Sequence, residues 1–285
     1  MEYITVQTLE EAVSLISEKP AGKIIAGGTD LIVQMRDLCA EPPLLIDIAG
    51  IKELKRIEKN GGLLFIGACT PIADIADSKI LPRALVLGAR SIGSPQIRNL
   101  GTIGGNICNA SPCGDTLPGL LTLSAEFHIA SSRGTRKVSA EDFFTGPKKT
   151  VMEKDEILTI IEIPEKYTSG ASAFGMIGKR NGQVISQVNS AAWADTGEGK
   201  GGLIREIRIA FGSVAPVPVR TKKIENFITG KKLTPEIIEK GMKLMHEEIL
   251  PITDVRSSEE YRFSVAEGLL LDILTEISKA LEEAA

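Results

Sequence analysis

Apolar residues near the start of the chain, Leu9, Ala12, Val13 and Ile16, recur at helical spacing and share one face. Thr8 stands just before them and Glu11 three residues after it, the capping-box pattern in which each side chain satisfies an amide at the helix start. A short apolar run at 23–26 gives way to Gly27-Gly28-Thr29-Asp30 and then to LIVQMRDL, which reads as strand, glycine loop and helix. Strands are expected at 44–48 and 63–68 around a Lys- and Glu-rich stretch, followed by helices over 72–76 and 81–89. Further along, 117–123 reads as a helix, 126–130 as a strand and 140–144 as a short helix. Residues 155–163 alternate like a half-buried strand and stop at Pro164. After a polar patch at 165–172, strands are expected at 173–177, 188–194 and 204–212, with a glycine-rich turn at 197–202 before the third. The tail is helical: 221–228, a helix opened by Thr234-Pro235, and a long one over 264–283. No segment repeats at a period of 20–50 residues.

One stretch breaks the pattern. Residues 91–119 read SIGSPQIRNLGTIGGNICNASPCGDTLPG, with no sustained period and a wealth of Gly, Pro, Asn and Ser. Irregular stretches of this length inside a domain are functional or disordered. Ile92, Ile97, Leu100, Ile103 and Ile107 argue for order, so the expectation is an ordered loop whose backbone surrounds a ligand.

Composition narrows the classes. The chain has 285 residues, 43% hydrophobic and 25% charged, an ordinary globular mixture of about two domains. Lys plus Arg total 33 against 37 acids, a net charge of −4, which leaves no basic excess for a nucleic acid backbone. No apolar run approaches the about 18 residues of a membrane span, and the acidic, amphipathic N-terminus is unlike a secretory signal, so a cytoplasmic protein is expected. The two histidines, His128 and His246, are too few for a multi-histidine metal site. Cys39, Cys69, Cys108 and Cys113 form no C-x-x-C pair.

Glycine is frequent, at 28 residues, and two glycine loops stand out, 26–31 and 101–106. Paired glycines allow positive φ and close approach of the backbone to a ligand. Successive amides in such a bend make an anion-binding concavity, to which the helix expected from near Thr29 adds its positive end. Hydrogen bonds to a charged group contribute about 1.5–3 kcal/mol each, so several amides can hold a diphosphate without Lys or Arg. Neither loop is G-x-G-x-x-G, and G-x-x-x-x-G-K-[ST] is absent. Each pair also has the plain reading of a tight turn.

The loop Ala26-Gly27-Gly28-Thr29-Asp30-Leu31, the run from Gln96 to Cys108 containing Gly101-Thr102-Ile103-Gly104-Gly105-Asn106, and the following Ala110-Ser111-Pro112 and Asp115 resemble the FAD-binding subunits of the molybdenum hydroxylases (xanthine, carbon monoxide and nicotinate dehydrogenases). The strand ending at Pro164 is similar to that family's E-I-L-x-x-I-x-I-P element, and the likeness spans nearly the whole chain. It implies an α+β fold: two subdomains sandwiching FAD (about 1–52 and 53–168 of a domain over 1–168), then a C-terminal domain over 169–285 with a three-stranded antiparallel sheet and helices. By the same resemblance, Ile24, Ile25, Ala26, Gly27, Gly28, Thr29, Asp30 and Leu31 wrap the diphosphate. Thr102, Ile103, Gly104, Gly105 and Asn106 cradle it and the ribityl chain, and Asp115 takes a sugar hydroxyl. Ile92 or Gly93, Cys108 and Leu158 lie by the flavin or adenosine. The implied role is electron transfer from a 2Fe-2S small subunit, which drains a molybdenum-cofactor-binding large subunit, to an external acceptor such as NAD or oxygen. Two departures stand out. Gly175 occupies the place of a family lysine, with Lys179 as the nearby candidate replacement, and no inserted cysteine-rich loop for an additional iron–sulfur cluster is present. The competing readings are a nucleotide- or anion-binding module without flavin and a stand-alone flavin oxidase. Asp30 and Asp115 can equally be loop caps, Lys179-Arg180 a charged turn, and His128 and Trp193 structural.

Overall fold

A computed structural model describes residues 1–283 except Ala40, Asn181 and 198–201, so most of the turn expected at 197–202 lies outside the described residues. The first unit runs β1 (Glu2–Thr5), α1 (Leu9–Glu18), β2 (Lys23–Ile25), α2 (Leu31–Leu38) and β3 (Leu44–Asp47). Its three strands are parallel in the order β1-β3-β2, joined by helical crossovers. Thr8 caps α1 through the Glu11 amide, and Glu11 returns a bond to the Gln7 amide. Ala12 and Ile16 bury the apolar face against Leu44, Ile46 and Ile48. The edge strand β1 was not expected: its residues are largely exposed and carry no alternation to read.

The second unit contains β4 (Ile57–Asn60), β5 (Leu63–Gly67), α3 (Ile72–Asp77), α4 (Arg83–Ser91), α5 (Pro95–Leu100), α6 (Ile103–Asn109) and α7 (Leu117–Thr122). It continues with β6 (Glu126–Ser131), β7 (Gly134–Ser139), α8 (Ala140–Phe143), the small hairpin β8 (Phe144–Gly146) and β9 (Lys149–Thr150), and β10 (Ile157–Pro164). Its main sheet is antiparallel with β10 at the centre, order β4-β5-β10-β6-β7. The alternation in 155–163 suggests a half-buried strand, but six of the eight β10 residues are buried. Ile157 packs into the core of the first unit while Leu158, Ile161 and Ile163 pack into that of the second, so the strand is covered on both sides. The stretch 91–119 is not a loop. Two short helices, α5 and α6, fold within it, each opened by a capping Ser or Thr and too short to show a period, and the helix expected at 117–123 follows as α7.

The third unit holds β11 (Ala171–Gly178), β12 (Ser186–Asp195), β13 (Glu206–Gly212), β14 (Val219–Arg220), α9 (Lys222–Ile228), α10 (Pro235–Met242) and α11 (Glu259–Glu283). Its antiparallel sheet has four strands rather than three, because Val219 and Arg220 pair with Phe211 and Ala210. The long α11 lays Ala266, Leu270, Ile273 and Ile277 over the sheet. Trp193 is 1% exposed, packs edge-on to Tyr167 at 4.7 Å and donates its indole N–H to the Ser169 carbonyl. His128 is bonded to Glu162 at 2.8 Å beside Lys137, a structural pairing on the sheet.

Units two and three are tied by charge. Glu141 on α8 accepts from Arg208 and Arg220 and meets Lys222 at 2.7 Å. Partial burial opposes its ionisation, but the bonds from Lys222 and Arg220 win and bring its pKa down to about 2. A depressed carboxylate contributes stability above its unfolded value and loses it as pH falls toward the folded one. Glu141→Gln is therefore expected to cost about 2 kcal/mol at neutral pH. It should also flatten the loss of stability between the ordinary glutamate range and about pH 2. Urea unfolding across that range checks both.

Candidate functional site

The loop after β2 and the helices α5 and α6 face each other across a cleft of about 360 Å³. The reason is a contact that only glycine permits. A Cβ on Gly27 would lie 1.9 Å from the Leu100 carbonyl oxygen, so the first loop rests directly on the backbone that ends α5. Gly28 follows at φ +67, in the left-handed region where side chains are strained. The amides of Gly27, Gly28, Thr29 and Asp30 donate to no acceptor among the described residues. α2 starts at Leu31, two residues after Thr29. This is an unfilled set of donors of the kind an anion takes.

Across the cleft the second glycine pair divides its work. A Cβ on Gly104 would meet Ala68 at 2.6 Å and its carbonyl oxygen at 2.7 Å, so that glycine exists for helix-to-strand packing. Gly105 would meet only the Thr102 hydroxyl, at 3.0 Å, and faces the cleft. The amides here are also spoken for: Ile103 donates to Thr70, Gly104 to Ala68 and Gly105 to the Thr102 side chain, which caps α6. The expectation that both bends offer their amides holds for the first bend and fails for 103–105 of the second. One loop offers bare amides; the other offers a glycine floor and the side chains of Thr102 and Asn106.

Ile24, Ile25, Ala26, Gly27, Gly28, Thr29, Asp30, Leu31, Ile92, Thr102, Gly105, Asn106 and Cys108 all line the cleft, as the sequence suggests. A second cavity of about 170 Å³ continues from it, sharing Ile24, Ala26, Thr102, Gly105 and Cys108 and adding Gly104, Leu158, Ile157, Met152 and Ala68. Leu158 stands at a register break in the pairing of β10 with β6, between Leu158 and Ile160, where a bulge re-aims side chains. The Cys108 thiol opens onto both cavities, yet its apolar surroundings push it up to about 12, with Cys69 adding to the effect. Cys69, buried beneath, is likewise raised to about 12 by its burial.

Four expected residues lie elsewhere. Ile103 is fully buried in the core, and Gly93 sits at φ +50 against Ile97. Asp115, expected on a sugar hydroxyl, is only 6% exposed, and its Oδ1 accepts from Ser186 at 2.5 Å and Asn189 at 2.6 Å on β12. Burial raises its pKa even though these bonds lower it. Lys179 is exposed just past β11 and lines neither cavity. Gly175 packs toward α11, where a Cβ would meet the end of the Leu269 side chain at 2.9 Å.

The structure also brings up residues the sequence did not mark. Gln34 and Asn109 line the cleft, and Lys148 reaches Asn109 at 2.6 Å and Asp30 at 3.8 Å from the turn between β8 and β9. Lys148 has φ +60, and no local pattern announces a lysine there. Among the described residues no cluster of His, Cys, Asp or Glu is fit to hold a metal, and no helix is long and apolar enough to cross a membrane.

The chain is similar to known proteins over nearly all its length. Residues 1–166 match the family described as FAD binding domain in molybdopterin dehydrogenase, and residues 174–277 match the CO dehydrogenase flavoprotein C-terminal domain. The nicotinate dehydrogenase FAD-subunit of Eubacterium barkeri is 33% identical, covering 99% of this chain and 97% of that one. The carbon monoxide dehydrogenase medium chain of Hydrogenophaga pseudoflava is 30% identical over 93% of this chain and 92% of its own. A solved carbon monoxide dehydrogenase structure from that organism superposes with a TM-score of 0.91, covering 99% and 98% of the two chains at 30% identity.

The unequal glycines give a prediction. Gly104→Ala should lower stability by about 1–3 kcal/mol through overpacking on Ala68. Gly105→Ala should leave the melting temperature within a few degrees of wild type, and thermal denaturation of the pair separates the two roles.

Proposed function

The chain belongs to the FAD-binding medium subunits of the molybdenum hydroxylase family, and from that membership we propose that it relays electrons from a 2Fe-2S small subunit to an external acceptor such as NAD or oxygen. The small subunit would itself drain a large subunit carrying the molybdenum cofactor. The observation that carries the reading is the bare amide row of Gly27 to Asp30 facing Gly105 across a cleft that runs on into an apolar slot.

The donor set fits FAD. A diphosphate needs several hydrogen-bond donors and little space between them and the phosphate oxygens, which the first loop supplies without a side chain in the way. Asn106 and Thr102 add polar contacts, and Gly105 leaves the facing wall flat. Lys148 stands beside the cleft as a counter-charge and also offsets Asp30, which would otherwise repel a phosphate. Leu158, Met152, Ile157 and Ala68 offer an aromatic ring an apolar wall, which Cys108 and the Arg136-paired Glu156 carboxylate also line. When bound, the flavin supplies a group that takes up electrons singly or in pairs; the protein's part is binding, orientation and electrostatic tuning.

Two experiments test this. Titration of the flavin-free chain should end at one FAD per chain, and Gly28→Val and Gly105→Val should abolish retention, the first through strain at φ +67 and the second by filling the wall. A full equivalent of FAD in either variant would remove that glycine from the site. For the wider role, co-expression with the neighbouring coding sequences should yield an assembly holding iron, molybdenum and FAD together. A chain that takes up no flavin would instead be a bare anion-binding module, and one that oxidises a small alcohol alone would be a self-sufficient oxidase.

A further inference from the structure

Ser or Thr precedes many helices in this chain, and its hydroxyl has a usual task. Thr8, Ser94, Thr102, Ser139 and Thr234 each accept from the amide three residues on. Thr221 before α9 and Thr116 before α7 do not. The residue three on from Thr116 is Gly119, but the Thr116 backbone is already helical, at φ −81 and ψ −19, where the five caps are extended, and Thr116 is fully buried. Its hydroxyl instead donates to the Asn106 side-chain oxygen at 2.6 Å. Asn106 lines the cleft, and with Oδ1 turned toward α7 its Nδ2 is left as a donor with no partner among the described residues. The bond sets the orientation of one carboxamide.

The residues just before Thr116 are fastened from the other side. Asp115 is gripped by Ser186 and Asn189 of β12, the Pro112 carbonyl accepts from the Ser213 amide, and the Cys113 carbonyl accepts from Asn189. We propose that Thr116 is a positioning residue for the cofactor cleft: it holds Asn106 with Nδ2 presented to FAD, and the third unit's grip on Asp115 holds Thr116 in turn. The proposal rests on the FAD reading above and adds to it a route by which the third unit acts on a cleft built wholly by the first two.

The test measures FAD affinity of the flavin-free chain by fluorescence titration, with melting temperature as a check on folding. Thr116→Val, which keeps the shape and removes the hydroxyl, should weaken FAD about tenfold at a nearly unchanged melting temperature, and Thr116→Ser should restore it. In an Asn106→Ala background, Thr116→Val should change nothing further. Asn106→Asp, which places a charged acceptor where the donor stood, should bind more weakly than Asn106→Ala. Asp115→Ala should reproduce the loss seen with Thr116→Val and add little to it. An equal effect of Thr116→Val with and without Asn106, or none in either, would overturn the proposal. An Asp115→Ala loss that adds fully to that of Thr116→Val would place the carboxylate on the ligand itself and break the proposed relay. A wild-type chain that takes up no FAD would bring down the parent reading and the proposal with it, a failure distinct from the others because it appears before any substitution is made.

Discussion

The site depends on one steric fact, the approach of the loop after β2 to the carbonyl of Leu100 at a distance that excludes even a methyl group. That contact brings a parallel three-stranded unit against a helix pair from the next unit and leaves four amides facing the gap. Unpaired amides are costly to bury, so the loop keeps them toward the cleft, where water or a ligand can reach them. The anion preference comes from the backbone, which is why a chain with net charge −4 can still belong to a family that binds a dinucleotide.

What the sequence made legible follows from how local each signal is. The capping box at Thr8, the loop at 26–31 and the run ending at Pro164 are written in neighbouring residues, and the structure has all three. Within 91–119, α5 and α6 are not legible because they have six and seven residues, under two turns, and hold Pro95, Gly104 and Gly105, whereas α7 is legible at 117–123 despite Pro118. Propensity alone rejects α6; tertiary packing on Ala68 overrides it. Glycine in a pair was taken as one signal, yet Gly104 answers to a strand and Gly105 to the cleft. Lys148 and Thr116 act through partners 39 and 10 residues away, and nothing beside them in the chain marks either.

The family likeness and the geometry support each other at different scales. Whole-chain matches establish a flavoprotein subunit, and the cleft shows which atoms are free to serve it. They part at two positions. Gly175 packs toward Leu269 of α11, and Asp115 Oδ1 accepts from Ser186 and Asn189 of β12, so the third unit reaches both positions.

The central place of β10 has a consequence for biosynthesis. β5 waits on one side for a partner that lies almost a hundred residues downstream, and the wall containing Leu158 is the last part of the first two units to be translated. Until Pro164 has left the ribosome, the nascent chain has a half-built sheet and no apolar slot, so flavin loading belongs after this point and hydrophobic strand edges stay open before it. The ordering favours a protein that folds its nucleotide-binding half as a single late event rather than strand by strand.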